Sequence, residues 1–330
     1  MATQPRAPPM PHDSHDALVK AIFGRPEYAA DELRAVLPSA LVARLDLRTL
    51  SVCPGSFVSE ELSKRHADLL YRVELDQREA FIYILFEHQS STDVLMPYRL
   101  MRYVVSIWDT YLAEHPGATT LPVVVPIVLH HSDTGWRAPT SLSELYGLDG
   151  DTLAAIGEYL PRLRFILDDL STQDDADLRR RDMAAAAKLA LLALRGARLG
   201  AELIHSLRAW IDLMEQASAA PDDDSALPTV LHYILQHSGF DHAAFKQLID
   251  DIRNSAAKET IVTTAEMLRE EGRQQERQQT ERRMLIKLLR LRFGDLPDAV
   301  IHDIEHAPLD LIERWVERVI THDSLEDIFA

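Results

Sequence analysis

The chain is expected to fold as an α/β domain followed by an all-α C-terminal region, and three observations predict this. Short β-rich runs cluster between Leu50 and Glu87, an apolar run follows at Leu121–Leu129, and beyond about residue 180 every pattern has the helical period. With 330 residues and 46% hydrophobic content there is material for one larger domain and one or two smaller units.

Residues 1–12, rich in Pro and small side chains, read as a disordered N-terminus. His15–Phe23 places Ala17, Leu18, Ala21 and Ile22 at helical spacing, Pro26 breaks the pattern, and a second helix is expected over Ala30–Leu37. Strands follow at Leu50–Val58, Ala67–Leu75 and Ala80–Glu87, and the Asp76–Glu79 connection is short enough for a hairpin. After Met96-Pro97, the residues Leu100, Tyr103, Val104, Ile107, Trp108 and Tyr111 mark the clearest amphipathic helix, with Arg99, Arg102 and Asp109 facing elsewhere. Leu121–Leu129, apolar on both faces, reads as a central, doubly covered strand despite Pro126, and Phe165–Leu167 is a last, weaker strand.

Helical patterns then continue through the Ala-rich Met183–Leu194, the acidic stretch Ala220–Pro228 reads as a linker, and helices resume at Thr229–Gln236 and Ala243–Asn254. A long helix is expected from Thr264 to Phe293. It has no large apolar residue between Arg269 and Arg283 and reads there as a solvated spacer; Met284–Ala330 turns amphipathic again as a small helical unit. The expected division is therefore 13–219 for the α/β domain, 220–263 for the acidic linker and helical segment, and 264–330 for the polar helix and the C-terminal unit.

Composition narrows the function. No apolar run approaches a bilayer span and the N-terminus lacks a secretory stretch, so a cytoplasmic protein without a membrane association is expected. One cysteine, Cys53, excludes an intrachain disulfide and a multi-cysteine zinc site. There is no GxxxxGK[ST], GxSxG or GxGxxG motif, so a nucleotide cofactor and acyl transfer have no support. The net charge of −17, from 52 acidic and 35 basic side chains, disfavours strong nucleic-acid binding, although a locally basic or metal-neutralised cleft still permits it.

The residues with chemistry lie at the strand ends. Asp68 alternates away from the apolar set Ala67, Leu69, Tyr71 and Val73, while Glu87 and Gln89 share one face at the end of the next strand, with the His88 backbone carbonyl between them. Two carboxylates and a carbonyl suit a hard cation such as Mg²⁺, which in turn suits phosphodiester hydrolysis. By spacing alone, an Asp with a Glu-x-Gln is common, and a solvated strand end is the default.

The runs HDALVKAIF (15–23), LPSALVARLDLRTLSVCPGSFVSEEL (37–62), ADLLYRV (67–73) and LFEHQSSTDVLMPYRLMRYVVSIWDTYL (85–112) change that weighting. They resemble the recombination-promoting nuclease/putative transposase family (Rpn) of the PD-(D/E)XK nuclease superfamily. The resemblance extends more loosely through VPIVLHHSD (125–133), RFILDDLS (164–171) and TAEMLREEGRQQERQQ (264–279). It implies a restriction-endonuclease-like mixed sheet flanked by helices, and a metal-dependent DNA endonuclease of little sequence preference that promotes recombination. Asp68, Glu87 and Gln89 are then the catalytic set, with Asp68, Glu87 and the His88 carbonyl holding Mg²⁺, or Mn²⁺ in its place. Gln89 stands where the wider superfamily has lysine; it can orient a water or phosphate oxygen but carries no charge, so weak activity is expected.

Arg99 and Arg102 are candidate DNA-phosphate contacts, against the alternative of a solvated helix face. His15 and Asp16 are possible cleft residues, against a helix cap. The tract His12–Asp16 reads as a mobile surface tract rather than a zinc site; His130 and His131 follow the buried strand and emerge near a sheet edge, with two readings open, a place close to the site or, as the default, ordinary loop residues. Arg273–Arg292, with seven basic and two acidic side chains, is open to three readings: a DNA contact, a homodimer contact through the C-terminal helices, or a solvated helix. A non-catalytic interaction protein on a nuclease scaffold, toxin-like or defence-associated, is the alternative function.

Overall fold

The computed structural model describes residues 13–54, 67–87, 93–132, 134–197, 203–220, 226–237 and 242–329. The chain forms two compact units, residues 1–262 and 263–330. The expected disordered stretch 1–12, the end of the first expected strand (55–58) and most of the acidic stretch (221–225) lie outside the described residues.

The first unit is built on one five-stranded mixed sheet, order β1-β2-β3-β4-β5, flanked by helices. The strands are β1 (Leu45–Val52), β2 (Ala67–Leu75), β3 (Arg78–Glu87), β4 (Val123–His130) and β5 (Ile166–Asp169). The first three pair antiparallel, and β4 and β5 add in parallel. β1 starts earlier than the expected Leu50 because Leu45 and Leu50 supply its buried positions. Between β2 and β3 only Asp76 and Gln77 remain unpaired, both with positive φ (49° and 63°), the conformation whose twist matches a tight hairpin. β4 is less covered than expected: Leu121 and Val123 are both exposed, and the buried part runs from Pro126 to His130. Pro126 is tolerated because β5 pairs with β4 only from Ile127, leaving an open edge at the proline.

Numbering the helices of eight residues or more, α1 (Asp13–Phe23) and α2 (Pro26–Val36) precede the sheet. Gly24 lets the chain turn between them; a Cβ there would stand 2.2 Å from the Lys20 carbonyl oxygen. Pro26 opens α2 rather than only ending α1, since a residue without an N–H costs nothing in the first turn. α3 (Met96–Glu114) connects β3 to β4. Its Met96, Leu100, Tyr103 and Ile107 pack on one sheet face against Leu70, Phe81, Tyr83 and Val128.

The other face, which carries Tyr71, Ile82 and Ile84, is covered by the N-terminal helices: α1 packs on β2, and the Tyr71 hydroxyl donates to the Phe23 carbonyl. Behind them lies α4 (Ala185–Gly196), apolar and buried over most of its circumference, with Lys188 and Arg195 on its one partly exposed side. Ala184 at its start has no capping side chain, and Asp31 of α2 instead accepts from the Ala184 N–H at 2.9 Å.

α5 (Ile211–Ser218), α6 (Ala226–His237) and α7 (His242–Asp251) complete the unit. Ala226–Pro228, expected at the end of a linker, instead forms the first turn of α6, whose Leu227, Val230, Leu231 and Ile234 are buried.

α8 (Ser255–Phe293) is longer than expected, with 39 residues, because Asn254 caps it: its Oδ1 accepts from Ala257 N–H at 3.1 Å. In the second unit Leu285 and Leu289 of α8 pack with Ile304 of α9 (Asp298–His306), Ile312, Trp315 and Val319 of α10 (Leu309–Thr321), and Ile328. No helix among the described residues is long and apolar enough to cross a membrane.

Candidate functional site

The β2–β3 hairpin positions the two expected acids. Asp68 stands opposite Leu85, and Glu87 lies two residues beyond Leu85, so the register puts positions 68 and 87 on one face as diagonal neighbours. That face is the one covered by α3, because Leu70 and Tyr83 have the same parity. Both positions lie where the hairpin opens, at the end far from its turn. His88 and Gln89 lie outside the described residues, as do the side chains of Asp68 and Glu87.

Parallel pairing extends this row. Glu87 pairs with His130 of β4, and His130 with Asp169 of β5. His130 is not a loop residue, as expected from sequence, but the last residue of β4 and fully buried. Its Nε2 lies 2.9 Å from Ser132 Oγ, and its ring meets Trp136 edge-on at 4.9 Å. Asp169 anchors the adjoining loop, accepting from Trp136 N–H at 2.8 Å and from Ser171 N–H at 3.0 Å. His131 points elsewhere, its Nε2 3.2 Å from the Arg195 carbonyl. The position of His130 just after an apolar strand is what drew it as a residue near the site, whereas nothing in composition or period marks Asp169; the place of both beside Glu87 depends on the β3-β4-β5 order, which is a property of the sheet.

The remaining candidates separate. Arg99 is held by Asp93 at 3.0 Å, and the same carboxylate accepts from Leu95 N–H at 2.9 Å at the start of α3. Arg102 is exposed on α3 and has no ion-pair partner among the described residues. His15 is buried against α6, with its Nδ1 on the Tyr233 hydroxyl, and the His237 ring stacks on Tyr233 at 4.1 Å. Ser14 Oγ lies 3.1 Å from His237 Nε2. Burial holds the His237 imidazole below its ordinary pKa. The expected mobile tract is therefore, from residue 13 on, the first turn of a packed helix; Asp16 is half-buried beside it.

A charged cluster invisible to sequence reading lies on the opposite face. Arg181 contacts both oxygens of Asp168 in β5 and reaches Glu32 of α2 at 3.0 Å, and all three are nearly sealed from solvent. Burial, then the neighbouring Asp168, raises the Glu32 carboxyl well above the usual carboxylate range despite Arg181. Glu32 Oε1 has no hydrogen-bond partner among the described residues.

Among the described residues no group of three or more His, Cys, Asp or Glu side chains is arranged to hold a metal ion. The expected set, two carboxylates and the carbonyl of His88, consists of hard oxygen donors and is chemically suited to Mg²⁺.

Fold and register together define an α/β domain on a mixed sheet with two acids in one row of its central hairpin. The chain belongs to the family described as "Putative transposase, YhgA-like", which matches residues 13–225. It is 31% identical over 266 residues to the recombination-promoting nuclease RpnA of Escherichia coli strain K12, covering 79% of this chain and 85% of that protein. It is 32% identical over 262 residues to the inactive recombination-promoting nuclease-like protein RpnE of the same strain, covering 79% and 83%. To the recombination-promoting nuclease RpnD of Escherichia coli O157:H7 it is 30% identical over 256 residues, covering 77% and 93%. No solved structure matches the chain.

Proposed function

We propose that this chain is a metal-dependent DNA endonuclease of the PD-(D/E)XK type, hydrolysing phosphodiester bonds with little sequence preference and promoting recombination through the ends it creates. The observation that carries this reading is the hairpin register that makes Asp68 and Glu87 diagonal neighbours on one sheet face. The names of RpnA and RpnD support it.

In this reading Asp68, Glu87 and the His88 carbonyl hold Mg²⁺, and Mn²⁺ can substitute. When bound, the ion supplies Lewis-acid polarisation of the scissile phosphate and a bound water of lowered pKa. Asp68 and Glu87 provide the charge that retains it. Gln89 orients the attacking water or a phosphate oxygen through its amide, without supplying a cation. Arg102 is the better placed of the two arginines to meet a phosphate, since Asp93 already occupies Arg99. The C-terminal helices serve target contact or pairing of two chains, and the protein acts in the cytoplasm.

The test is plasmid nicking by purified protein in Mg²⁺, Mn²⁺, Ca²⁺ or EDTA, beside Asp68→Ala and Glu87→Ala preparations. Metal-dependent nicking absent from both variants supports the enzyme; equal nicking in all three identifies a contaminant and removes the support.

A non-catalytic nuclease-fold protein is the second reading, favoured by the near-equal identity to RpnE, which is named inactive. No nicking by wild type under any metal, with no Mg²⁺ or Mn²⁺ binding that Asp68→Ala removes in calorimetry, would select it.

A further inference from the structure

The second unit has a groove of about 500 Å³ along the end of α8 and against α9. Its cations are Arg283, Lys287 and Arg290, its aliphatic lining is Ile286, Leu291 and Ile301, and Glu305 is the one acid among its lining residues. The three cations follow at i, i+4 and i+7, so they form one stripe over roughly 10 Å of helix.

Neighbouring arginines are already engaged. Arg277 pairs with Glu281 at 2.8 Å and Glu313 at 3.5 Å. Arg282 donates to the Ala307 carbonyl at 2.8 Å, and Arg292 to the Val319 carbonyl and to Asp323. By contrast, Lys287 and Arg290 are exposed and have no side-chain partner among the described residues. Among the described residues Arg283 bonds only the Gln279 carbonyl one turn back, through Nε at 3.2 Å, which leaves its terminal nitrogens available.

We propose that this stripe binds the sugar–phosphate backbone of duplex DNA; the proposal rests on DNA being the substrate, as in the reading above. In a chain of net charge −17, attraction to a polyanion has to come from a local surface whose cations are not already neutralised. A DNA strand presents a phosphate about every 3.4 Å along the helix axis, so the stripe spans about three phosphates. The aliphatic side chains flanking the cations, Leu291 among them at 76% exposure, suit the deoxyribose faces and read no base edge. Binding at this surface is therefore salt-dependent and indifferent to sequence.

The test uses the full chain with Asp68→Ala, in EDTA, and a fluorescein-labelled duplex oligonucleotide followed by anisotropy over a salt series. Relative to this parent, adding R283Q/K287Q/R290Q makes the slope of log K against log salt shallower by about 0.9 per lost contact, or about 2.7 in all. Adding R283K/R290K instead keeps the slope, and circular dichroism checks that each variant is folded. Unchanged affinity and slope in the triple variant overturn the proposal and leave the groove to a protein partner such as an acidic amphipathic helix. Absence of any duplex binding by the parent also overturns it. Plasmid nicking by wild type, scored separately, distinguishes the two failures: nicking with an unchanged slope sinks the stripe alone, whereas a changed slope without nicking sinks the nuclease alone.

Discussion

Arg181 grips Asp168 through two contacts, of 2.9 and 2.6 Å, inside the first unit. The pair ties the segment before α4 to the last strand of the sheet, and Glu32 makes it a triad. Removing the cation leaves two carboxyls in a nearly dry site. Arg181→Leu is expected to lower stability by about 3–5 kcal/mol in urea unfolding. A loss no larger than that of an exposed arginine would show that the triad holds nothing together.

The same triad gives a pH signature. Because the folded-state pKa of Glu32 is raised, its contribution to stability is fully present below the ordinary carboxylate range and is lost as pH rises through the folded value. Glu32→Gln removes that dependence. The stability advantage of wild type over the glutamine variant should therefore shrink toward higher pH in thermal melts; parallel curves would mean that Glu32 is not protonated in the folded protein.

Arg99 and Arg102 should behave differently although they are one turn apart. Arg99→Ala breaks the pair with Asp93 and is expected to cost about 1 kcal/mol of stability with little change in the salt slope of DNA binding. Arg102→Ala is expected to leave stability unchanged and to reduce that slope by about 1. The reverse assignment in anisotropy and melting would return phosphate contact to Arg99.

Cys53 sits at the end of β1, where burial pushes its thiol up to about 11. At neutral pH the thiolate is scarce, so a disulfide reagent should label native protein roughly a hundredfold more slowly than unfolded protein. Fast native labelling would place this cysteine at the surface.

How much of this was legible in the sequence follows the range of the interaction involved. β2 was readable to the residue, because alternation and a short polar turn are local signals. α3 was readable from its apolar stripe and its proline. The ends of β1 and β4 were not, since they depend on where neighbouring strands stop covering them. For the site, Asp68 and Glu87 were selected by alternation and resemblance, and their common face follows from the β2–β3 register. His130 could be placed only near the end of an apolar strand, with a site position as one of two readings, and Asp169 could not be selected at all, because their neighbours arrive through parallel pairing across α3 and a long connection. The Glu32–Asp168–Arg181 triad joins three distant points and leaves no pattern at any of them.

The two-residue turn at Asp76–Gln77 has a consequence for how this chain tolerates change in length. Side-chain direction repeats every two residues, so a slip of one residue between β2 and β3 would send position 68 to the face of Tyr71 while position 87 stayed on the face of α3. A single insertion or deletion in that turn, made far from either acid, would thus separate them without altering a residue of the proposed site. Chain length at 76–77 is as much a determinant of the acidic pair as the two acids themselves.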